Sequence, residues 1–191
     1  MKLPDRILFT GAPGSKWSGV AQTLEQDKRF NTSDRTPERI YSHHEYGGHK
    51  GVYFGKGMEF EAVCSNDHLD YPFSGTGTRL LKSHEWAYHL DLYSELPDFW
   101  IMMVHRDDQE CFEWWKQAGG FDISYPNYDW YKDDVHMKAH ISLQNKSMID
   151  FCTQHNVDLE RWSSKWLMDK FQIKHDVADN DIRVALFKCS N

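Results

Sequence analysis

The segment 6-RILFTGAPGSKWSGVAQTL-24 constrains the fold more than any other. A short apolar run, RILFT (6–10), stops at Gly-Ala-Pro-Gly, as a buried strand does when it meets a turn. Beyond the glycines, Val20, Ala21 and Leu24 fall on one helical face, with Ser18 near the helix start. The order is strand, glycine turn, helix. The pattern recurs downstream. TRLLKSH (78–84) reads as a second strand, followed by a helical EWAYHLDLYSEL that stops before Pro97. FWIMMVH (99–105) is the most apolar run and suits a central strand buried on both faces. In RDDQECFEWWKQAGG, Asp107 or Asp108 can cap a helix on which Cys111, Phe112, Trp115 and Ala118 share a face, and Gly119-Gly120 ends it. A long helix is expected from Lys132 to His155, a shorter one around Trp162–Phe171, and a closing strand over 181–188. Residues 28–49 read as irregular, and KGVYFGKGMEFEAV (50–63) as a hairpin about Gly55-Lys56-Gly57. Strands alternating with helices imply an α/β three-layer sandwich with a mainly parallel central sheet.

The length of 191 residues suits a single domain over 1–191. With 8 Trp, 9 Tyr and 11 Phe, wholesale disorder is excluded. The net charge of −7 argues against generic duplex nucleic-acid binding, which needs basic surface to displace counterions. It leaves room for a small anionic ligand held by a few local donors. Cys64, Cys111, Cys152 and Cys189 are too scattered for a metal knuckle or redox motif. No stretch resembles a signal peptide or a membrane span, so no membrane partner and a cytoplasmic location are expected, with the oligomeric state left open.

The glycine turn carries the first chemical signal. The common nucleotide loop reads G-x-x-x-x-G-K-[ST]. Here Gly11 is followed five positions later by Lys16 without the preceding glycine, so the strict pattern fails by one residue. Its physics survives, because the amides of a glycine-rich turn entering a helix N-terminus form a concave donor array for anions. Lys16 adds a full charge, and Ser15 and Ser18 add hydroxyls. The second signal lies at two further strand ends. Lys82-Ser83-His84 closes one, and Arg106, 22 positions after His84, closes another. If both strands run parallel to the first, Lys16, Lys82, His84 and Arg106 converge at one edge, where open α/β sheets bind ligands. There His84 is suited to general-base work.

FTGAPGSKWSGVAQTL, TRLLKSHEWA and ELPDFWIMMVHRDDQECFEWW, in this order and spacing, resemble the core of the P-loop sulfotransferases over roughly residues 6–118. The resemblance implies a P-loop NTPase-like fold and sulfuryl transfer from 3′-phosphoadenosine-5′-phosphosulfate to a hydroxyl of a small molecule or glycan, with no metal required. It places the donor's 5′-phosphate on Pro13, Gly14, Ser15, Lys16, Trp17 and Ser18, and the 3′-phosphate on Arg106. His84 becomes the base, and Lys82, with Lys16, the helper that orients the site. The chain departs from the family at four points. Gly14 stands where Lys or Arg is usual, Lys16 where Gly is usual, and Trp114 where a second 3′-phosphate ligand, a serine, is usual. An Arg-Lys-Gly segment near the C-terminus is missing. Two other readings follow from the same residues: a magnesium-dependent P-loop kinase, and a non-catalytic binding protein that keeps the fold.

Other clusters carry weaker signals. His43, His44, Glu45 and His49 lie together, but adjacent histidines lack the usual ligand spacing for zinc. Tyr125, Tyr128, Trp130 and Tyr131 read first as a loop packed on the core and second as the floor of an acceptor pocket. Trp162 and Trp166 read as a core-facing stripe.

Overall fold

The computed structural model describes residues 2–34, 73–123, 128–178 and 181–189. The hairpin expected over 50–63, the cluster from His43 to His49, Cys64 and Tyr125 lie outside the described residues. Strands β1 (Arg6–Gly11), β3 (Thr78–Lys82) and β4 (Phe99–His105) form where the apolar runs fall. The two-residue β2 (Phe30–Asn31) and β5 (Glu160–Arg161) and the closing β6 (Arg183–Lys188) complete one sheet in the order β2-β3-β1-β4-β6-β5. β2, β3, β1 and β4 are mutually parallel, and β6 and β5 add on antiparallel. The chain is therefore α/β, with a mixed and mostly parallel sheet.

Alternation along the strands sends side chains to two faces. Ile7, Phe9, Leu80, Met102, Val104 and Val184 pack under helices α1 (Trp17–Glu25) and α5 (Ser164–Phe171). Leu8, Leu81, Ile101, Met103 and Ala185 pack under α2 (Leu90–Ser94) and α4 (Asp134–Gln154). A smaller cluster joins Ala12 of the glycine turn to α3 (Asp108–Gln117) and to Met137 and Ile141 of α4. Ile7, Phe9, Ile101, Met102, Met103 and Val104 are all essentially inaccessible, which is the burial expected of central strands covered on both sides.

The helix ends follow their capping residues. The Asp107 carboxylate accepts from the Gln109 and Glu110 amides at the start of α3. Asp133 caps α4 and Ser163 caps α5 in the same way. After β3 the expected single helix is split into a 3-10 turn, Glu85–Tyr88, and the short α2, because His89 leaves helical geometry with φ −128°. α5 begins at Ser164 rather than Trp162, whose backbone amide instead donates to the Ile182 carbonyl at 3.1 Å. No helix among the described residues is long and apolar enough to cross a membrane.

Candidate functional site

The register fixes what meets at the sheet edge. Phe9 lies opposite Lys82 and Gly11 opposite Val104, so the three parallel strands end side by side with β1 in the middle. The turn of residues 12–16, Ser83-His84 and Arg106 all leave from that edge.

The turn is held tightly. The Ser15 amide donates to the Ala12 carbonyl at 3.0 Å. Gly14 has φ 80°, and a Cβ there would lie 1.8 Å from the Cys111 carbonyl oxygen on α3. Lys or Arg, usual in the resembling family, therefore has no room at this position. Lys16 also takes the left-handed region, with φ 63°, where the family has Gly. Lys16 occupies the N-cap position of α1 and gives no side-chain cap, so the first amides of that helix have no side-chain acceptor from it. Ser15 Oγ is fully buried and has no hydrogen-bond partner among the described residues. Pro13 is buried, and Trp17 stacks on Phe9 at 5.9 Å as a core residue, which leaves only its backbone to a ligand. Ser18 is half-buried.

Arg106 is 5% exposed and fully engaged. Its Nε donates to Asp181 at 2.9 Å, its Nη2 to Glu110 Oε2 at 2.8 Å, and its Nη1 to the Glu110 carbonyl at 3.0 Å and more weakly to the Gly14 carbonyl at 3.5 Å. It thus ties the glycine turn to α3. Trp114, the residue in place of the family serine, has Lys16 Nζ 4.1 Å from its ring centroid and the Arg106 guanidinium at 5.9 Å. Burial, and next the Arg106 charge, pull the Lys16 ammonium below its ordinary pKa, against the opposing effect of Asp181 and Glu110. Burial works against the Asp181 carboxyl, yet hydrogen bonds from its own backbone and from Arg106 hold it below the usual range.

Lys82 does not converge with the others. Its side chain shares the α1 face with Leu80, and Nζ lies 3.6 Å from Glu25, the last residue of α1. The glycine turn is at the opposite end of that nine-residue helix, about 12 Å away at 1.5 Å per residue. His84 sits on the other side, against α4. Gln144 Nε2 donates to the His84 carbonyl at 2.8 Å and lies 3.1 Å from Nδ1, and Glu85 Oε1 is 3.2 Å from the same nitrogen. The ring is covered edge-on by Tyr128 at 5.9 Å, Trp130 at 5.7 Å and His140 at 5.8 Å. Burial pushes its pKa down to about 4, so at neutral pH the ring is uncharged and keeps a lone pair.

Sequence reasoning overlooked three residues of α4. Gln144 holds the His84 end, while Asn145 holds the Arg106 end by donating to its carbonyl at 2.8 Å and to Asp108 at 2.7 Å. His140 stacks on Trp130 at 3.9 Å and hydrogen-bonds the Tyr88 hydroxyl at 2.9 Å. The available signal was the pair Gln144-Asn145, two amides at what the helical period makes a buried position. Tyr131 packs on Trp115 and Phe121 and donates to the Gly120 and Ile123 carbonyls, which makes it a loop anchor.

Comparison of the chain with protein-family models, with curated proteins and with solved structures finds no match.

Proposed function

We propose that this chain is a group-transfer protein of the P-loop sulfotransferase kind, which holds a 3′,5′-phosphorylated adenosine at the edge formed by β3, β1 and β4. The observation that carries the reading is the placement of three motifs on adjacent parallel strands. A glycine turn enters a helix that its N-cap residue leaves uncapped, and it is flanked on one side by His84 and on the other by Arg106. The amides of residues 16–18 and the Lys16 side chain face the donor's 5′ end in this reading, the Ser15 amide being held by the Ala12 carbonyl. Arg106 takes the 3′-phosphate by exchanging its two carboxylate partners, which is feasible because Glu110 and Asp181 are 49% and 45% exposed and can swing into water.

His84 receives the acceptor's proton as the hydroxyl oxygen bonds to sulfur and the sulfur–oxygen bond to the donor's 5′-phosphate breaks. Its low pKa makes it a weak but available base, and Tyr128 and Trp130 must part for an acceptor to reach it. Lys82, anchored to Glu25, contributes to the fold in this reading rather than to charge at the site.

A thermal-shift series with 3′-phosphoadenosine-5′-phosphate, magnesium–ATP and neither tests the proposal. Stabilisation that grows with the bisphosphate and is absent with magnesium–ATP is expected. Stabilisation by magnesium–ATP alone would turn the reading to a kinase, and no response to the bisphosphate at millimolar concentration would remove donor binding.

A further inference from the structure

The surroundings of His84 contain a second arrangement, two of whose three members, Glu85 and His140, take no part in the sulfuryl transfer proposed above. A ring nitrogen of His84, a ring nitrogen of His140 and a carboxylate oxygen of Glu85 lie within 4.8 Å of one another. The geometry points to a binding site for one zinc-class divalent ion, held by His84, Glu85 and His140. This goes beyond the donor-binding reading and stands without it.

Four observations support the site. First, the donor set of two imidazoles and one carboxylate is one that borderline divalent metals favour. Second, His84 Nδ1 and Glu85 Oε1 are 3.2 Å apart, close to the edge of about 3.3 Å that a tetrahedral ion with bonds of about 2.0–2.1 Å would set. The third donor lies within 4.8 Å of the other two and reaches the same edge with side-chain movement of at most about 1.5 Å.

Third, His140 is 4% exposed, and its Nε2 is buried with no hydrogen-bond partner among the described residues. Its Nδ1 is already engaged by the Tyr88 hydroxyl, as an outer-sphere partner engages a metal-bound histidine. Nε2 is then the position left to ligate. Trp130, stacked on the ring with planes 5° apart, fixes its orientation.

Fourth, Nδ1 of His84 faces two groups with opposite demands. The Gln144 amide nitrogen at 3.1 Å offers a proton, and the Glu85 carboxylate at 3.2 Å asks for one. If Nδ1 is unprotonated, its lone pair faces the carboxylate's. If it is protonated, its N–H faces the amide's donor. Flipping the amide only moves the mismatch, because Gln144 would then aim an acceptor at the His84 carbonyl, 2.8 Å away. A cation between Nδ1 and Oε1 removes the conflict and leaves the Gln144 amide with the carbonyl alone.

Three protein donors leave a fourth position for water or for a hydroxyl ligand, whose pKa the ion lowers. An ion on Nδ1 also keeps the proton on Nε2, so the ion-bound ring and the proton-accepting ring are alternative states of His84.

The test is a titration of the chelator-stripped full chain with cobalt(II) chloride, followed by the visible absorption of four-coordinate cobalt. One equivalent should bind and be displaced by stoichiometric zinc. Glu85→Gln and His140→Gln should weaken binding at least tenfold with circular dichroism unchanged. Tyr88→Phe, which keeps the ring and removes only the hydroxyl, should weaken it several-fold. A triple replacement of His43, His44 and His49 by Ala should leave it intact. Failure of the wild type to bind, equal binding by all variants, or loss confined to the triple replacement would each overturn the site. The bisphosphate thermal shift of the same variants reads donor binding separately, so failure of either idea is seen without the other.

Discussion

Placing lysine at Gly14 supplies the cation that the family resemblance calls for, yet the loop has no place for it. A Cβ at residue 14 would stand 1.8 Å from the Cys111 carbonyl oxygen and 2.7 Å from its carbon, both of them helix backbone. No rotamer relieves that overlap, because Cβ precedes every side-chain torsion. Either the turn or the first half of α3 must move. The left-handed backbone at φ 80° adds about 1–2 kcal/mol for any residue with a Cβ. Overpacking against a fixed wall adds about 1–3 kcal/mol. For a chain of this size each kcal/mol lowers Tm by about 2–4 °C, so a fall on the order of 10 °C is expected. Because the fault lies in Cβ, Gly14→Ala should lose nearly as much as Gly14→Lys. The pair separates crowding from charge. Urea unfolding followed by tryptophan fluorescence, together with a thermal scan, measures both. If Gly14→Ala stays within about 0.5 kcal/mol of wild type, the turn is not clamped against α3 and the reasoning fails.

Three further substitutions probe the site. Asp181→Asn removes one of the carboxylates that neutralise Arg106, and should tighten 3′-phosphoadenosine-5′-phosphate about fivefold at low salt, as about 1 kcal/mol would; weaker binding by calorimetry would show that Asp181 helps the ligand. Lys82→Met removes the ammonium 3.6 Å from the part-buried Glu25 carboxylate and should cost about 1–3 kcal/mol, part of it recovered in the double variant with Glu25→Gln, as a double-mutant cycle in urea would show. His84→Gln should abolish sulfuryl transfer while bisphosphate affinity stays within about twofold, the pattern of a lost proton acceptor; retained turnover would remove His84 from the chemistry.

How much of this was legible in the sequence depends on range. FWIMMVH maps onto β4 without an error because an apolar run of that length flanked by Pro97 and Arg106 has few other solutions. The Asp107 cap is equally local. β2 and β5, two residues each, exist only through pairing with β3 and β6 and leave no periodic signal. The side of the sheet to which Lys82 points could not be read. Strand alternation groups it with Leu80, but only packing reveals that α1 covers this face and offers Glu25. The aromatic and histidine surroundings of His84 come from residues 44 to 56 positions downstream, brought there by α4 and the segment before it. Gly14 and Lys16 read in sequence as departures from a motif. In the structure they are the residues that the two left-handed positions and the approach of α3 accommodate.

The most direct test of the central claim is a crystal structure of the full chain with 3′-phosphoadenosine-5′-phosphate. The account predicts the 5′-phosphate within hydrogen-bond distance of the backbone amides of residues 16–18, and the 3′-phosphate on an Arg106 released from Asp181. Nucleotide bound elsewhere, with Arg106 still clasped by its two carboxylates, would contradict it.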